Sequence, residues 1–546
     1  MHSFSISGQF IDLFQRRTYP ATIEINGGII TSVREKEDAP LQYILPGFVD
    51  AHVHIESSML VPATFARLAV VHGTVATVSD PHEIANVCGK EGMQYMIDNS
   101  KQTPFKIFFG APSCVPATAF ETAGASLDTN DVTELLNKPD IWYLSEVMNY
   151  PGVLHNDPEV MAKINAAKKA NKPVDGHAPG LKGDAAIAYA SAGITTDHEC
   201  FTLEEALDKV KAGMQILIRE GSAAKNFEAL ADIILLQPDK AMFCSDDKHP
   251  DELVLHHINR LVKRAIDKGY DMYDVLSIAC VHPVLHYKLP VGLLREGDVA
   301  DFIVVNDVKE WAVHQTYIGG ELVAEDGTTL LPHLPAAVIN NFSAKPRQVS
   351  DFALQAENAK PSIRIIEALE GQLITNELIM PGKVENGMLV SDVANDVLKI
   401  AVINRYEVAA PAAVAFIKNF GLQRGALAST VAHDCHNIIA VGVDDASICA
   451  AVNALIGCKG GIAVATDSQH IDCMPLPIAG LMSGDDGYSV AAQYTMLDKK
   501  AKELGTKLKA PFMTLSFMAL LVIPSLKLSD KGLFDGNKFK FTTTEA

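Results

Sequence analysis

The sequence feature that most limits the possible folds is a short apolar segment that recurs eight times, each time ending in polar or charged residues. In chain order the segments are YILPGFVDAHVH, GTVATVSDPHE, FKIFFGAPS, IWYLSEVMN, PVDGHAP, GITTDHE, MQILIREG and AMFCSDD. Helix-like runs occupy most of the gaps between the segments. Seven steps lead from the first segment to the eighth, and the average step is about 28 residues. Eight such units predict an α/β fold with a (β/α)8 TIM barrel. No GxGxxG motif follows the first strand, which disfavours the alternative of a doubly wound open sheet.

The segments on either side of the barrel predict two further domains. Residues 1–40 alternate apolar and polar around Gly27-Gly28, which is typical of a β-hairpin, and a similar pattern returns near residues 295–325. We therefore expect residues 1–40 and 290–345 to form one small flanking β-sheet domain around a barrel at residues 41–289. Residues 346–546 mix strand-like and helix-like runs and predict a separate C-terminal α+β domain.

Charge and cysteine usage narrow the partners and the compartment. The chain has 46 Lys and Arg against 66 Asp and Glu, a net charge of −20, which disfavours nucleic acid and anionic membranes as partners. The longest apolar stretch, near residues 512–523, is shorter than the ~20 residues of a membrane span. Nine scattered cysteines without a CxxC pair, and an N-terminus unlike a signal peptide, predict a cytoplasmic protein.

The polar residues at the strand ends form a candidate metal centre. In a TIM barrel the carboxyl ends of the strands meet at one face, and residues i and i+2 of a strand point the same way. An isolated His-x-His pair is usually two ordinary histidines, and a single strand-end carboxylate could be a salt-bridge partner or a helix cap. Imidazoles and carboxylates at five strand ends are far more typical of one metal site. The residues concerned are His52, His54, Glu146, His177, His198 and Asp246.

Several of these segments resemble a known family. The runs PGFVDAHVHIESSM, SDPHE, SEVMN, DGHAPG, TTDHE and FCSDD are similar to those of the amidohydrolase superfamily and, within it, of the adenine deaminases. The likeness extends over essentially the whole chain, and HVHIESSM is its most specific part. It implies hydrolysis of adenine by water to hypoxanthine and ammonia, in purine salvage. It also implies a binuclear divalent metal centre, with manganese or iron ahead of zinc, and a homodimer or larger homo-oligomer.

The resemblance also implies roles for individual residues. His52 and His54 match ligands of the more buried ion, and His177 and His198 match ligands of the second ion. Glu146 matches a bridging carboxylate, and because IWYLSEVMN contains no lysine, the carboxylated-lysine bridge of dihydroorotase-like and hydantoinase-like enzymes is disfavoured. Asp246 matches a ligand that also carries a proton during the reaction. We therefore expect Asp246 and Glu146 to be the catalytic carboxylates, with water activated by the two ions attacking C6 of adenine.

Further residues are candidates for substrate binding or for support of the ligands. Glu56, Asp80, His82 and Glu83 lie near the same strand ends, where they could orient the base, hold a further ion or only hydrogen-bond the ligands. His433 and Asp434 lie in the run VAHDCHNIIAVG, whose spacing fits either a metal site or an ordinary turn. The family resemblance implies that this loop faces the barrel and helps to close the substrate pocket.

Two other functions remain open at this point. One is a different amidohydrolase with the same ligands, such as another deaminase or a deacetylase, because the residues that recognise the ring cannot be identified from spacing. The other is a barrel that serves as a scaffold without catalysis. The complete set of candidate ligands argues against the scaffold, which would need none of them.

Overall fold

The computed structural model describes residues 3–222 and 224–546. The first part of the chain is a set of four strands: β1 (Ser3–Asp12), β2 (Arg17–Asn26), β3 (Ile29–Glu35) and β4 (Tyr43–Pro46). β2 and β3 form the predicted hairpin, with Asn26 paired to Ile29 across the turn. Gly27 and Gly28 both have positive φ, 61° and 81°, as a two-residue type I′ turn requires. Residues 1 and 2 of the predicted β segment lie outside the described residues.

The next eight strands build the barrel, and each comes from one of the eight recurring segments. They are β5 (Phe48–Val53), β6 (Thr74–Ser79), β7 (Lys106–Ala111), β8 (Ile141–Val147), β9 (Val174–Gly176), β10 (Thr196–Asp197), β11 (Gln215–Arg219) and β12 (Ala241–Cys244). β5 to β9 pair in parallel and in order, and so do β10 to β12. The Thr195 N–H donates to the Val174 carbonyl at 2.8 Å, and the Asp246 N–H donates to the His52 carbonyl at 2.9 Å. These contacts join the two runs, so the (β/α)8 prediction is confirmed.

Helices follow most barrel strands and cover the outside of the barrel. They are α1 (Pro62–Ala69), α2 (His82–Ser100), α3 (Thr129–Leu136), α4 (Tyr150–Leu154), α5 (Pro158–Lys169), α6 (Gly183–Ser191), α7 (Leu203–Lys211), α8 (Phe227–Leu230), α9 (Ile233–Leu236), α10 (Pro250–Leu253), α11 (Ile258–Asp267), α12 (Met272–Cys280) and α13 (His282–Tyr287). Their ends follow local sequence signals. At α5 the Asp157 carboxylate accepts the N–H groups of Glu159 and Val160, and Lys168 and Lys169 lie in the last turn.

The chain then returns to the sheet begun by β1 to β4. The returning strands are β13 (Phe302–Asp307), β14 (Ala312–Ile318), β15 (Glu321–Glu325) and β16 (Thr328–Thr329). β13 pairs antiparallel with β4, so the two distant pieces share one eight-stranded sheet in the order β16-β15-β14-β13-β4-β1-β2-β3. β4 leads directly into β5, which anchors this sheet to the first barrel strand.

The C-terminal part contains the remaining strands and helices. They are β17 (Leu354–Gln355), β18 (Ser362–Ala368), β19 (Thr375–Pro381), β20 (Lys383–Glu385), β21 (Met388–Val390), β22 (Val397–Ile403), β23 (Ala412–Lys418), β24 (Ala426–Ser429), β25 (Ile438–Gly442), α14 (Asp445–Cys458), β26 (Gly461–Ala465), β27 (Ile471–Pro475), α15 (Gly487–Glu503), α16 (Pro511–Ser516), β28 (Leu526–Ser529), β29 (Gly532–Asp535) and β30 (Lys540–Phe541). Eight of these strands form a mixed sheet in the order β19-β18-β23-β22-β25-β24-β26-β27.

The C-terminal part packs against the carboxyl end of the barrel. Tyr494 on α15 is hydrogen-bonded to His249 beyond β12 at 2.6 Å, and Arg67 on α1 contacts Asp486 at 3.1 Å. The loop between β24 and β25, residues 430–437, is buried and meets the same end of the barrel. In the described residues, none of the helices combines the length and the apolar character needed to cross a bilayer.

Candidate active site

The six predicted ligands lie together at the carboxyl ends of β5 to β12, a region we call the barrel mouth. His52 is in β5 and Glu146 is in β8. His54 directly follows β5, His177 directly follows β9 and His198 directly follows β10. Asp246 is the second residue after β12. All six side chains are buried. Asp246 has a positive φ of 54°, a strained conformation for a residue with a Cβ, of the kind found at functional sites.

The first group of donors is built around the two histidines of the first strand. The Nε2 atoms of His52 and His54 are 3.2 Å apart. Asp246 Oδ1 lies 3.2 Å from His54 Nε2 and 3.6 Å from His52 Nε2. Glu146 Oε1 lies 3.5 Å from His54 Nε2. His52, His54 and Asp246 thus direct two imidazole nitrogens and one carboxylate oxygen to one point, and Glu146 Oε1 contacts this set through His54.

The second group is built around the other oxygen of Glu146. Glu146 Oε2 lies 2.8 Å from His177 Nδ1 and 3.0 Å from His198 Nε2. Glu146 therefore contacts the first group through one oxygen and the second group through the other. A carboxylate in this position can contact two neighbouring cations, one through each oxygen.

Hydrogen bonds prepare the first group for a cation. His54 Nδ1 lies 3.1 Å from the Asp80 carbonyl oxygen. Because a carbonyl can only accept, Nδ1 carries the proton, and in the neutral ring Nε2 presents its lone pair to the cluster. His52 Nδ1 and His177 Nε2 are buried, and neither has a hydrogen-bond partner within residues 3–222 and 224–546. The donor set therefore fits divalent metal ions.

Electrostatics at the mouth lead to the same conclusion. Burial alone would lower the pKa of His54, but its hydrogen bond to Asp246 and the nearby Asp247 and Glu146 carboxylates hold that pKa well above its usual value. Burial alone would raise the pKa of Glu146, but His177 and His198 hold it well below its usual value. The buried carboxylates thus require positive charge beside them, which divalent cations bound by neutral imidazoles supply.

Arg219 and Glu199 are site residues whose roles sequence reasoning missed. Arg219, the last residue of β11, is buried; its guanidinium donates to Asp246 Oδ2 at 2.7 Å and pairs with Glu199. Burial opposes ionisation of Asp246, yet Arg219, His52 and His54 together hold its pKa well below the usual value. One oxygen of Asp246 is therefore held by Arg219 while the other faces the histidines. The recurring strand-end pattern was the available signal for both residues.

The other candidates near the mouth occupy different positions. His82 Nδ1 lies 3.2 Å from Asp80 Oδ2 and 3.6 Å from Glu146 Oε1, so Asp80, His82, His54 and Glu146 form a further set with metal-ligand spacing. Glu56 Oε1 instead accepts the N–H of Ile84 in the first turn of α2 at 3.2 Å. Burial raises the pKa of Glu56 to about 7. Glu56 thus supports α2, which carries His82 and Glu83.

The loop of residues 430–437 reaches the mouth from the C-terminal part. His433 Nδ1 lies 2.5 Å from Glu83 Oε1, and Asp434 Oδ1 lies 3.7 Å from His82 Nε2. His433 and Asp434, together with Leu373, Phe517 and Leu520, close a cavity of about 20 Å³ over the donor cluster. That space holds about one water molecule. A larger ligand can enter only when these walls move apart.

A closed parallel barrel with histidine and carboxylate donors at its carboxyl end defines a hydrolase of the amidohydrolase class. The Amidohydrolase family model matches residues 43–323, and the Adenine deaminase C-terminal domain model matches residues 372–540. The chain therefore belongs to the adenine deaminase family of the amidohydrolase superfamily, whose members use a divalent metal.

Relatives support this assignment over nearly the full length. A protein of Salinibacter ruber named adenine deaminase is 54% identical, covering 99% of this chain and 98% of that protein. An adenine deaminase of Sulfurovum sp. is 57% identical over 98% of both chains. An adenine deaminase of Methanosarcina mazei is 52% identical, also over 98% of both chains. The likeness therefore covers the flanking sheet and the C-terminal part as well as the barrel.

Proposed function

We propose that this protein hydrolyses adenine to hypoxanthine and ammonia, as a step of purine salvage. The observation that carries the proposal is Glu146, whose two oxygens face two groups of histidines on a barrel whose nearly full-length relatives are adenine deaminases. His52, His54 and Asp246 would hold one divalent ion, and His177 and His198 would hold the second. Manganese or iron is preferred over zinc because the resemblance points to these metals, although imidazole and carboxylate donors suit all three.

The chain's own residues then have distinct tasks in the reaction. Divalent ions, when bound, would lower the pKa of a water molecule and make hydroxide available near neutral pH. Asp246 is kept ionised by Arg219 and can therefore accept a proton at Oδ1. It then passes that proton to a ring nitrogen or to the departing amine, so that nitrogen leaves as ammonia. A relay of this kind contributes ~10²–10⁴ to the rate.

The walls of the cavity exclude bulk water during this chemistry. Phe517 and Leu520 present apolar surface from the C-terminal part, and Leu373 lines the same cavity. A dry site strengthens the interactions between Asp246, Glu146 and the reacting groups. Adenine must therefore enter while the walls are apart, and the walls must close before hydrolysis.

Ammonia release tests the proposed function. Purified protein loaded with manganese or iron is incubated with adenine, adenosine, guanine, cytosine and an N-acetylated sugar, and its metal content is measured on the same sample. We expect ammonia from adenine well above all other substrates, at about two metal ions per chain. Preferred release from guanine or cytosine, or acetate release from the sugar, would indicate another amidohydrolase activity. A metal-loaded protein inactive on every compound would support a scaffold.

We also propose that the protein acts in the cytoplasm as a homodimer or larger homo-oligomer, with adenine and water as its substrates. The support is the family resemblance and the nine cysteines, all of which carry free thiols in the structure. Sedimentation velocity at several protein concentrations tests the assembly. A single species at the mass of one chain, 58.8 kDa, would contradict it.

A further inference from the structure

We propose that the C-terminal part supplies a residue that binds the purine ring: His433, held in place by Glu83 and directing its Nε2 atom at a ring nitrogen of the substrate. This inference rests on the proposed function and adds a residue for substrate recognition to it. It concerns the loop of residues 430–437, which the metal cluster does not require. We call Glu83 and His433 the Glu83–His433 dyad.

The hydrogen bonds of the loop determine where each proton lies. The backbone N–H of Ala432 donates to His436 Nδ1 at 3.1 Å, so that nitrogen is unprotonated. The proton of neutral His436 is therefore on Nε2, which donates to Glu83 Oε2. The other oxygen of Glu83, Oε1, accepts from His433 Nδ1 at 2.5 Å. His436 thus holds one oxygen of Glu83, and the other oxygen holds His433.

The same tautomer argues against a metal ion at this place. Glu83, His433 and His436 have spacing that could hold an ion, and all three are buried. A metal-binding imidazole needs a lone pair on the nitrogen that faces the ion. His436 Nε2 carries a proton instead, because Nδ1 accepts the Ala432 N–H. The cluster is therefore a hydrogen-bonded support for His433.

The remaining nitrogen of His433, Nε2, has no hydrogen-bond partner among the residues that the structure describes, although it is buried. His433 lines the cavity above the donor cluster. The ring stacks on Phe517, with centroids 4.5 Å apart and planes 12° apart, which prevents it from rotating away. Asp247 Oδ1 is 3.9 Å from Nε2, beyond hydrogen-bond distance, and already accepts a hydrogen bond from Ser57 Oγ. A buried nitrogen with no partner costs free energy unless a ligand satisfies it.

Adenine carries groups that satisfy this nitrogen. Its rings present unprotonated nitrogens, which accept a hydrogen bond from an imidazole N–H. Burial alone would lower the pKa of His433, but Glu83 and Asp247 raise it to about 9. Nε2 of His433 is therefore a donor near neutral pH. Its contact would fix the ring in the plane that places C6 next to Glu146 and Asp246, which face the same cavity.

Two substitutions separate the contact with the ring from the contact with Glu83. In His433→Asn the amide nitrogen takes the position of Nδ1, so the bond to Glu83 is kept and the contact with the ring is lost. In His433→Gln the amide nitrogen takes the position of Nε2, so the contact with the ring is kept. His470→Asn is the matched control, because His470 lies in the same part of the chain with a side chain 79% exposed.

The readout is the binding of purine to the metal-loaded protein, measured by calorimetry, because purine has the rings of adenine but no amino group to release. The ligands are purine and its 1-deaza, 3-deaza and 7-deaza analogues, each with one ring nitrogen replaced by CH. In the unsubstituted protein and in His470→Asn, we expect the analogue that lacks the contacted nitrogen to bind ~10–100-fold more weakly than purine. This penalty should fall below ~3-fold in His433→Asn and persist in His433→Gln.

The outcomes distinguish this inference from the proposed function. If His433→Asn leaves every deaza penalty unchanged, His433 does not contact the ring and the inference is wrong, even where adenine is deaminated normally. If purine binds with the predicted pattern but adenine releases no ammonia in the unsubstituted protein, the proposed function is wrong and the contact remains. If no ligand binds, the inference is wrong, and if adenine also releases no ammonia, the proposed function is wrong as well. Thermal unfolding of each variant verifies that its fold is intact.

Discussion

The barrel mouth and the loop of residues 430–437 line the same cavity, but they reach it by different routes. Strands β5 to β12 run in parallel, so any polar residue at a carboxyl end is brought to the mouth by topology alone. The loop follows β24 of another sheet and reaches the mouth only because that sheet packs on the barrel. The candidate metal donors thus follow from strand order, whereas the groups that line the cavity from the C-terminal part depend on how two parts of the chain pack.

Among the variants that test this comparison, we expect the largest effect from His52→Ala at the barrel mouth. The variant removes an imidazole whose Nε2 lies 3.2 Å from that of His54. We expect lost metal and a fall in turnover of more than ~100-fold, beyond the range for residues that only support ligands. The fold should survive because the barrel core consists of other side chains. Metal content, turnover and thermal unfolding are measured together, and full occupancy with normal turnover would contradict the assignment.

The second prediction concerns the proton carrier, Asp246. Asp246→Asn keeps the shape of the side chain but cannot accept a proton, and it weakens the bond to Arg219. We expect kcat to fall at least ~10²-fold. Turnover is expressed per bound metal ion, so that lost ligation is separated from lost proton transfer. An unchanged value per metal ion would assign proton transfer to another group.

The third prediction concerns Arg219, whose role the strand-end pattern did not reveal. Arg219→Met leaves the buried Asp246 and Glu199 carboxylates without their cation. We expect activity to fall ~10–100-fold and the free energy of unfolding to drop by ~3–5 kcal/mol. Arg219→Lys keeps the charge but loses the bidentate geometry of the guanidinium. We expect its activity and its free energy of unfolding to lie between those of the unsubstituted protein and those of Arg219→Met.

A matched control for Arg219 lies on the surface. Arg295 forms an exposed pair with Asp298, with a side chain 54% exposed. Arg295→Met should change the free energy of unfolding by no more than ~0.5 kcal/mol. If both methionine variants unfold alike and retain activity, Arg219 has no role in holding Asp246.

Particular residues show what could be predicted from the sequence. His52 and His54 are two apart on one strand, so their common face follows from the period of a β-strand. The polar partner of Asp246 is Arg219, the last residue of β11, and the sequence does not reveal whether the side chain of that arginine turns inward or outward. His433 and Glu83 are 350 residues apart, and no local pattern encodes that contact. The tautomer of His436 depends on one backbone N–H, which only the folded loop places beside it.

The smallest predicted effect concerns the order in which substrates are accepted. The cavity of about 20 Å³ is closed by Phe517, Leu520 and the loop of residues 430–437, which leaves no space for a ribose in the closed form. The mouth also holds several buried carboxylates, including Glu83, Glu146, Asp246 and Asp247. Adenine should therefore be deaminated well, adenosine poorly and AMP least.

Salt separates the two causes of this order. The gap between adenine and adenosine is steric, whereas the gap between adenosine and AMP arises from the repulsion between phosphate and carboxylates. Raising the ionic strength from ~0.1 M to ~1 M shortens the Debye length from ~10 Å to ~3 Å, so only the second gap should shrink. The measurement is kcat/KM for the three compounds at both ionic strengths. Equal values for adenosine and adenine would show that the loop leaves room for a sugar, and the role of the C-terminal part in closing the cavity would then be wrong.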